Sequence, residues 1–230
     1  MQRMMKAYPL FIVMGAMIVV AAVVIGAINA NNANAYYAVD KVTRETDLVW
    51  ANVRAGVEST GIWLPYFKFL GLAMILGGIT MALGVIATKL LKMGQEVMAS
   101  VPESARVAVP AKPRSAMLMR LFMMLGMMII IVGFIVALFT AGTATSVYGT
   151  PVAEIDAAVT GSALLQDLAS VHRAESWLEA FKFVGVAALF LGIINGLSTI
   201  IFALRFQKKA IPEVVHNLPA ATAPAPATGD

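Results

Sequence analysis

The chain has no cysteine and only two histidines among its 230 residues. Without cysteine there is no disulfide framework and no thiolate-ligated metal centre. Charge is the next shortage. Asp, Glu, Lys and Arg make up 13% of the sequence, and no charged residue or histidine occurs between Lys6 and Asp40, Lys68 and Lys89, Arg120 and Glu154, or Lys182 and Arg205. Such a distribution excludes an ordinary soluble domain. Each uncharged gap is long enough to cross hydrocarbon, which takes about 20 residues. The apolar character within the gaps is continuous rather than alternating, which selects helices over barrel strands. Four transmembrane helices are expected, near residues 9–30, 69–88, 121–141 and 183–204.

The same absences narrow the chemistry. Proton relays and ion pathways usually need ionisable groups inside the membrane, and these spans hold no acid and no histidine. His172 and His216 lie outside the spans, which denies an embedded haem its axial ligands. No phosphate-binding loop, nucleophile with its base or pair of catalytic carboxylates stands out. No catalytic residue, cofactor or metal site is expected.

What charge there is lies beside the spans. The amino terminus (Arg3, Lys6), the central stretch (Lys89, Lys92, Arg106, Lys112, Arg114, Arg120) and the region after the last span (Arg205, Lys208, Lys209) are basic. The other two loops carry Asp40, Glu45, Asp47 and Glu58, and Glu154, Asp156, Asp167 and Glu175. This asymmetry places both termini and the central loop in the cytoplasm, with the protein integral to the cell (inner) membrane. It also accounts for a pI near 9.4 without nucleic acid as a partner. The first apolar run follows two bases and ends in an Ala-x-Ala pattern, as a signal peptide would. Its length and its internal counterpart favour a retained helix.

That counterpart belongs to a duplication. Trp63-Leu-Pro-Tyr-Phe-Lys-Phe-Leu-Gly71 returns 114 residues later as Trp177-Leu-Glu-Ala-Phe-Lys-Phe-Val-Gly185, with six of nine positions identical. Phe11-Ile-Val-Met-Gly15 pairs with Phe122-Met-Met-Leu-Gly126 at an offset of 111. Val101-Pro102-Glu103 likewise returns as Ile211-Pro212-Glu213. The chain is read as two two-helix repeats, residues 1–115 and 116–219, followed by an Ala/Pro-rich tail at 220–230 that cannot build a core. Two spans per repeat give both copies the same orientation, so the repeats are parallel. The fold expected is an all-α integral membrane protein with amphipathic helical outer segments. The period of Val39, Val42, Val49, Val53 and Val57 marks the first segment, and Ile155, Val159, Leu164, Leu165, Leu168 and Val171 mark the second. Tyr36, Tyr37, Trp63, Tyr66, Tyr148 and Trp177 read as an interfacial aromatic belt.

Small residues form the most informative pattern. Gly15, Ala22, Gly26 and Ala30 on the first span share their spacing with Gly126, Gly133, Ala137 and Ala141 on the third. Gly71, Gly78 and Ala82 on the second share theirs with Gly185, Gly192 and Gly196 on the fourth. Steps of seven and four return to one helix face, so each stripe offers a groove for close helix packing. Ala73 and Ala187 lie off the stripe. Lys68 and Lys182, at equivalent outer ends, read either as snorkelling side chains or as a pair gripping an anionic headgroup or outer-segment carboxylate. Asn195 reads as an interhelical hydrogen-bonding group. The methionines at 117, 119, 123, 124, 127 and 128 raise copper(I) through their soft sulfur, but packing surface is the better account. The function expected is a non-catalytic structural or accessory subunit of a larger membrane assembly, with membrane lipids and other integral subunits or further copies as partners. A small channel or transporter with its pathway between the repeats is the alternative.

Overall fold

The computed structural model describes residues 7–108 and 110–217. Arg3, Lys6 and the 220–230 tail therefore lie outside the described residues. Every regular element among those residues is helical: α1 (Tyr8–Ala38), α2 (Lys41–Thr46), α3 (Leu48–Ser100), a single 3-10 turn (Glu103–Ala105), α4 (Arg114–Tyr148), α5 (Val152–Asp156) and α6 (Ala163–Asn217). Four of them, α1, α3, α4 and α6, are long and apolar enough to cross a membrane, with mean hydropathy of 2.9, 2.3, 2.9 and 2.2 over their most apolar windows.

Two of these helices far exceed a span. α3 has 53 residues and runs for about 80 Å at a rise of about 1.5 Å per residue, and α6 has 55. Each fuses the outer segment, the apolar run and the basic stretch beyond it. A proline removes one backbone donor from a helix. α3 nevertheless continues through Pro65, where Leu64 and Tyr66 on either side are buried. The equivalent Val-Pro-Glu and Ile-Pro-Glu triplets part company. Val101 adopts an extended conformation before Pro102 and ends α3, as a residue preceding proline tends to do, whereas α6 passes through Pro212 to Asn217.

The outer segments differ from the expectation of one amphipathic helix each. Val39 closes α1 in an extended conformation. The Asp40 carboxylate then accepts the Thr43 N–H at 3.0 Å to start α2, and the Asp47 carboxylate accepts the Val49 N–H at 2.7 Å to start α3. Each Asp acts as an N-cap, so a period counted across both loses phase. Val42 and Val49 are exposed, and the residues that turn inward are Ala51 and Ala55. In the second segment Gly161, at φ +85°, makes the turn between α5 and α6. Ile155 and Val171 there are buried while Val159 is exposed.

α1 pairs with α3, and α4 pairs with α6, as two long hairpins. α4 also packs along α3, and α3 touches α6, whereas α1 has no comparable contact with α4 or α6 among the described residues. The centre is built from Ala73, Leu76, Ile130 and Leu189. Above it lie Tyr66, Ala137 and Leu178, and then Ala55, Ile62, Ala141, Ala144, Tyr148 and Val171.

Candidate functional site

The four long helices meet where side chains are smallest. A Cβ on Gly15 would lie 2.5 Å from the Gly71 carbonyl oxygen, and one on Gly71 would lie 2.8 Å from that of Gly15. Backbone therefore touches backbone where α1 crosses α3. The second hairpin repeats the crossing at the positions the offsets predict: a Cβ on Gly126 would lie 2.7 Å from the Gly185 oxygen, and one on Gly185 would lie 2.7 Å from Ile130 Cδ1. Two turns along, a Cβ on Gly78 would lie 3.0 Å from the Tyr8 oxygen, and one on Gly192 would lie 3.4 Å from the Met119 oxygen. Tyr8 and Met119 are themselves related by 111 residues. Ala22, Ala137 and Gly196 are buried on the same seams, Gly26 and Ala82 are half-buried, and Ala30 is exposed.

A second seam joins the hairpins, and its donors were not all legible in the stripe. Gly133 receives the Tyr66 ring. The Tyr66 hydroxyl donates to the Leu178 carbonyl, and the residue is only 2% exposed, so it is a core side chain rather than part of an interfacial belt. A Cβ on Gly77 would lie 3.1 Å from the Met127 methyl, and one on Gly84 would lie 3.2 Å from that of Met119. Their seven-residue spacing is the signal that would have found them. Ala73, off the stripe, is fully buried on this seam, while its counterpart Ala187 is exposed. The methionines divide accordingly. Met119 is buried and Met127 half-buried between helices, while Met117, Met124 and Met128 point outward.

Polar groups are mostly satisfied within their own helices. Thr80 donates to the Leu76 carbonyl at 2.8 Å, and Asn195 donates to the Leu191 carbonyl at 2.8 Å, so Asn195 is not the interhelical group expected of it. Besides the Tyr66 hydrogen bond, side-chain links between helices include Ser115 with Thr199 at 2.8 Å, Gln207 to the Leu90 carbonyl at 3.2 Å and Asn29 to the Val57 carbonyl at 3.3 Å. At the Tyr148 end of the long helices, missed in the sequence, the Arg54 guanidinium lies 4.8 Å over the Tyr148 ring. The Tyr148 hydroxyl is 3.3 Å from His172 Nε2.

The equivalent lysines have different surroundings. Lys182 has its side chain largely buried, with the ammonium 3.4 Å from Glu179 and 5.5 Å and 5.4 Å from the Phe69 and Phe183 ring centres. Lys68 is exposed, and repeat one has Pro65 where repeat two has Glu179. The two ammonium groups therefore have no partner set in common. Comparison with protein-family models, curated proteins and solved structures gave no match to this chain.

Proposed function

We propose that this protein is an integral inner-membrane protein of four spans, built as two tandem two-helix repeats, and that it serves as a non-catalytic structural or accessory subunit of a larger membrane assembly. The observation that carries this reading is where the large apolar side chains lie. The helices meet through Gly and Ala, and residues such as Val20, Ile79, Phe139 and Phe190 are exposed. A soluble domain does the reverse, burying its large residues and limiting its exposed apolar patches. In hydrocarbon, outward Val, Ile and Phe cost nothing, and close backbone packing is what draws helices together. A pathway between the repeats is the competing function. Support for packing over a pathway comes from Tyr66, Ile130 and Leu189, which occupy the space between the hairpins.

The charge pattern supports cytoplasmic termini and a cytoplasmic 89–115 stretch. Because the chain has no cysteine, single cysteines report topology cleanly. Cysteine at exposed Thr160 should react with a membrane-impermeant reagent in intact cells, and cysteine at exposed Ser104 should react only after lysis. Labelling of Ser104→Cys in intact cells overturns the orientation. Native purification followed by intact-complex mass spectrometry should find the chain in a larger assembly, whereas solute flux by the isolated protein in liposomes would favour the pathway.

A further inference from the structure

The contact between the hairpins runs in one direction only. The offsets relate α1 to α4 and α3 to α6, and the crossing within each hairpin is reproduced on its partner. The seam between hairpins is not. α3 receives α4, but α6 receives no helix at the corresponding face, and α1 leans on no helix corresponding to α3 of a preceding repeat. A relation of this kind between like units is heterologous, and each such contact leaves one donor face and one acceptor face unused.

Both unused faces are visible residue by residue. On α3 the seam positions Leu76 and Thr80 are 7% and 1% exposed, and on α6 their equivalents Phe190 and Ile194 are 51% and 56% exposed. The donor side shows the same reversal, since Met127 and Phe134 on α4 are half-buried while their α1 equivalents, Ala16 and Val23, are exposed. In its most apolar window α1 is 11% buried, against 22% for α4. Exposure alone would leave lipid as the occupant. The sizes say otherwise. Inside the chain Gly77 receives Met127, a small residue against a large one. At the open faces the equivalents are Leu191 and Ala16, again a large residue opposite a small one but with the sides exchanged.

We propose that the occupant of the open α6 face is α1 of a second copy of this chain, seated as α4 is seated on α3, so that copies join head to tail. This rests on the membrane-subunit reading above and names one partner. Because both repeats cross the membrane in the same sense, each step keeps every copy in the same orientation in the membrane plane, and the series closes into a ring where successive rotations complete a full turn.

The experiment again uses the cysteine-free background. In native membranes, oxidation of the Ala16→Cys/Leu191→Cys double variant should give a non-reducing ladder of dimer, trimer and larger species, since α1 and α6 of one chain do not pack together. The Met17→Cys/Leu191→Cys variant moves the probe to a position exposed in both copies, Met17 and Met128, and should give little or no ladder. Gly77→Cys/Met127→Cys should cross-link within one chain and proves that oxidation reaches the spans. A monomer band from the first variant alongside a cross-linked third, or equal ladders from the first two, overturns head-to-tail assembly. Carbonate extraction separates this from failure of the underlying reading. A chain that stays in the membrane pellet yet gives no ladder has lost only the self-assembly proposal, and a chain released by carbonate has lost the membrane reading as well.

Discussion

Tyr66 and Ala180 occupy the same place in the two copies of the Trp-Leu-x-x-Phe-Lys-Phe block, yet the tyrosine is buried against Gly133 and the alanine is exposed. The contrast is sharper where the residue is unchanged, since Ala73 is fully buried and Ala187 is exposed. Within each hairpin the copies agree: Gly15 meets Gly71 as Gly126 meets Gly185. Positions that hold a hairpin shut have thus stayed small in both copies, whereas positions on the seam between hairpins differ in identity, in burial or in both. Similarity between the repeats reports the hairpin, and divergence reports which face has been given a neighbour.

The strongest way to break this comparison is at Tyr66. Replacing it with Ala removes a buried aromatic and its hydrogen bond to the Leu178 carbonyl, and should cost about 3–5 kcal/mol, the range for large aromatic-to-Ala changes in cores. The mirror change, Ala180→Tyr, adds a ring to an exposed position and should move the stability of the single chain by less than about 0.5 kcal/mol. Unfolding of the purified chain in mixed micelles measures both. Equal losses would mean that the two faces are equally packed.

A smaller effect sharpens the agreement between hairpins. Gly71→Leu and Gly185→Leu each place a side chain where backbone or Ile130 already sits, within 2.8 Å of the nearest atom, and should each cost about 1–3 kcal/mol. The loss at Gly71 should be at least as large as that at Gly185, because the Gly15 backbone oxygen cannot move aside and the end of the Ile130 side chain can. A loss at only one of them would show that the hairpins are held by different contacts.

Much of this was legible in the sequence, and the reasons are physical. Charge-free gaps mark the four long apolar helices, and on the proposed membrane reading they do so because an ionised group is costly in hydrocarbon. Steps of seven and four mark the crossings because only Gly or Ala lets backbones approach. The seam between hairpins was hidden, since on the membrane reading a face toward lipid and a face toward another apolar helix want the same residues; Ala73 and Ala187 are identical in sequence and opposite in burial. Tyr66 misled for the same reason, an aromatic at a span end being equally suited to an interface or a core. The valine period failed because Asp40 and Asp47 each begin a new helix.

The smallest effect separates the two short outer helices, which pack against each other at equivalent places in the two repeats. α2 is capped by Asp40, and α5 has Pro151, 111 residues on, at the same cap position. Hydrogen bonds from Thr43 hold the Asp40 carboxyl below its ordinary value of 3.8. A lowered folded-state pKa means that the cap's contribution is fully present above the ordinary value and is lost as pH falls through the lower one. Acidification below about pH 4 should therefore shift and broaden the Thr43 amide resonance of the micelle-bound protein, with a midpoint under the ordinary Asp value. In α5 Pro151 stands at the cap position, so no cap carboxylate is there to be lost. Asp40→Asn keeps an acceptor at the cap without the titration and should flatten the Thr43 response. A Thr43 midpoint above 3.8, or a response that survives in Asp40→Asn, would show that the carboxylate is not what fixes the start of α2.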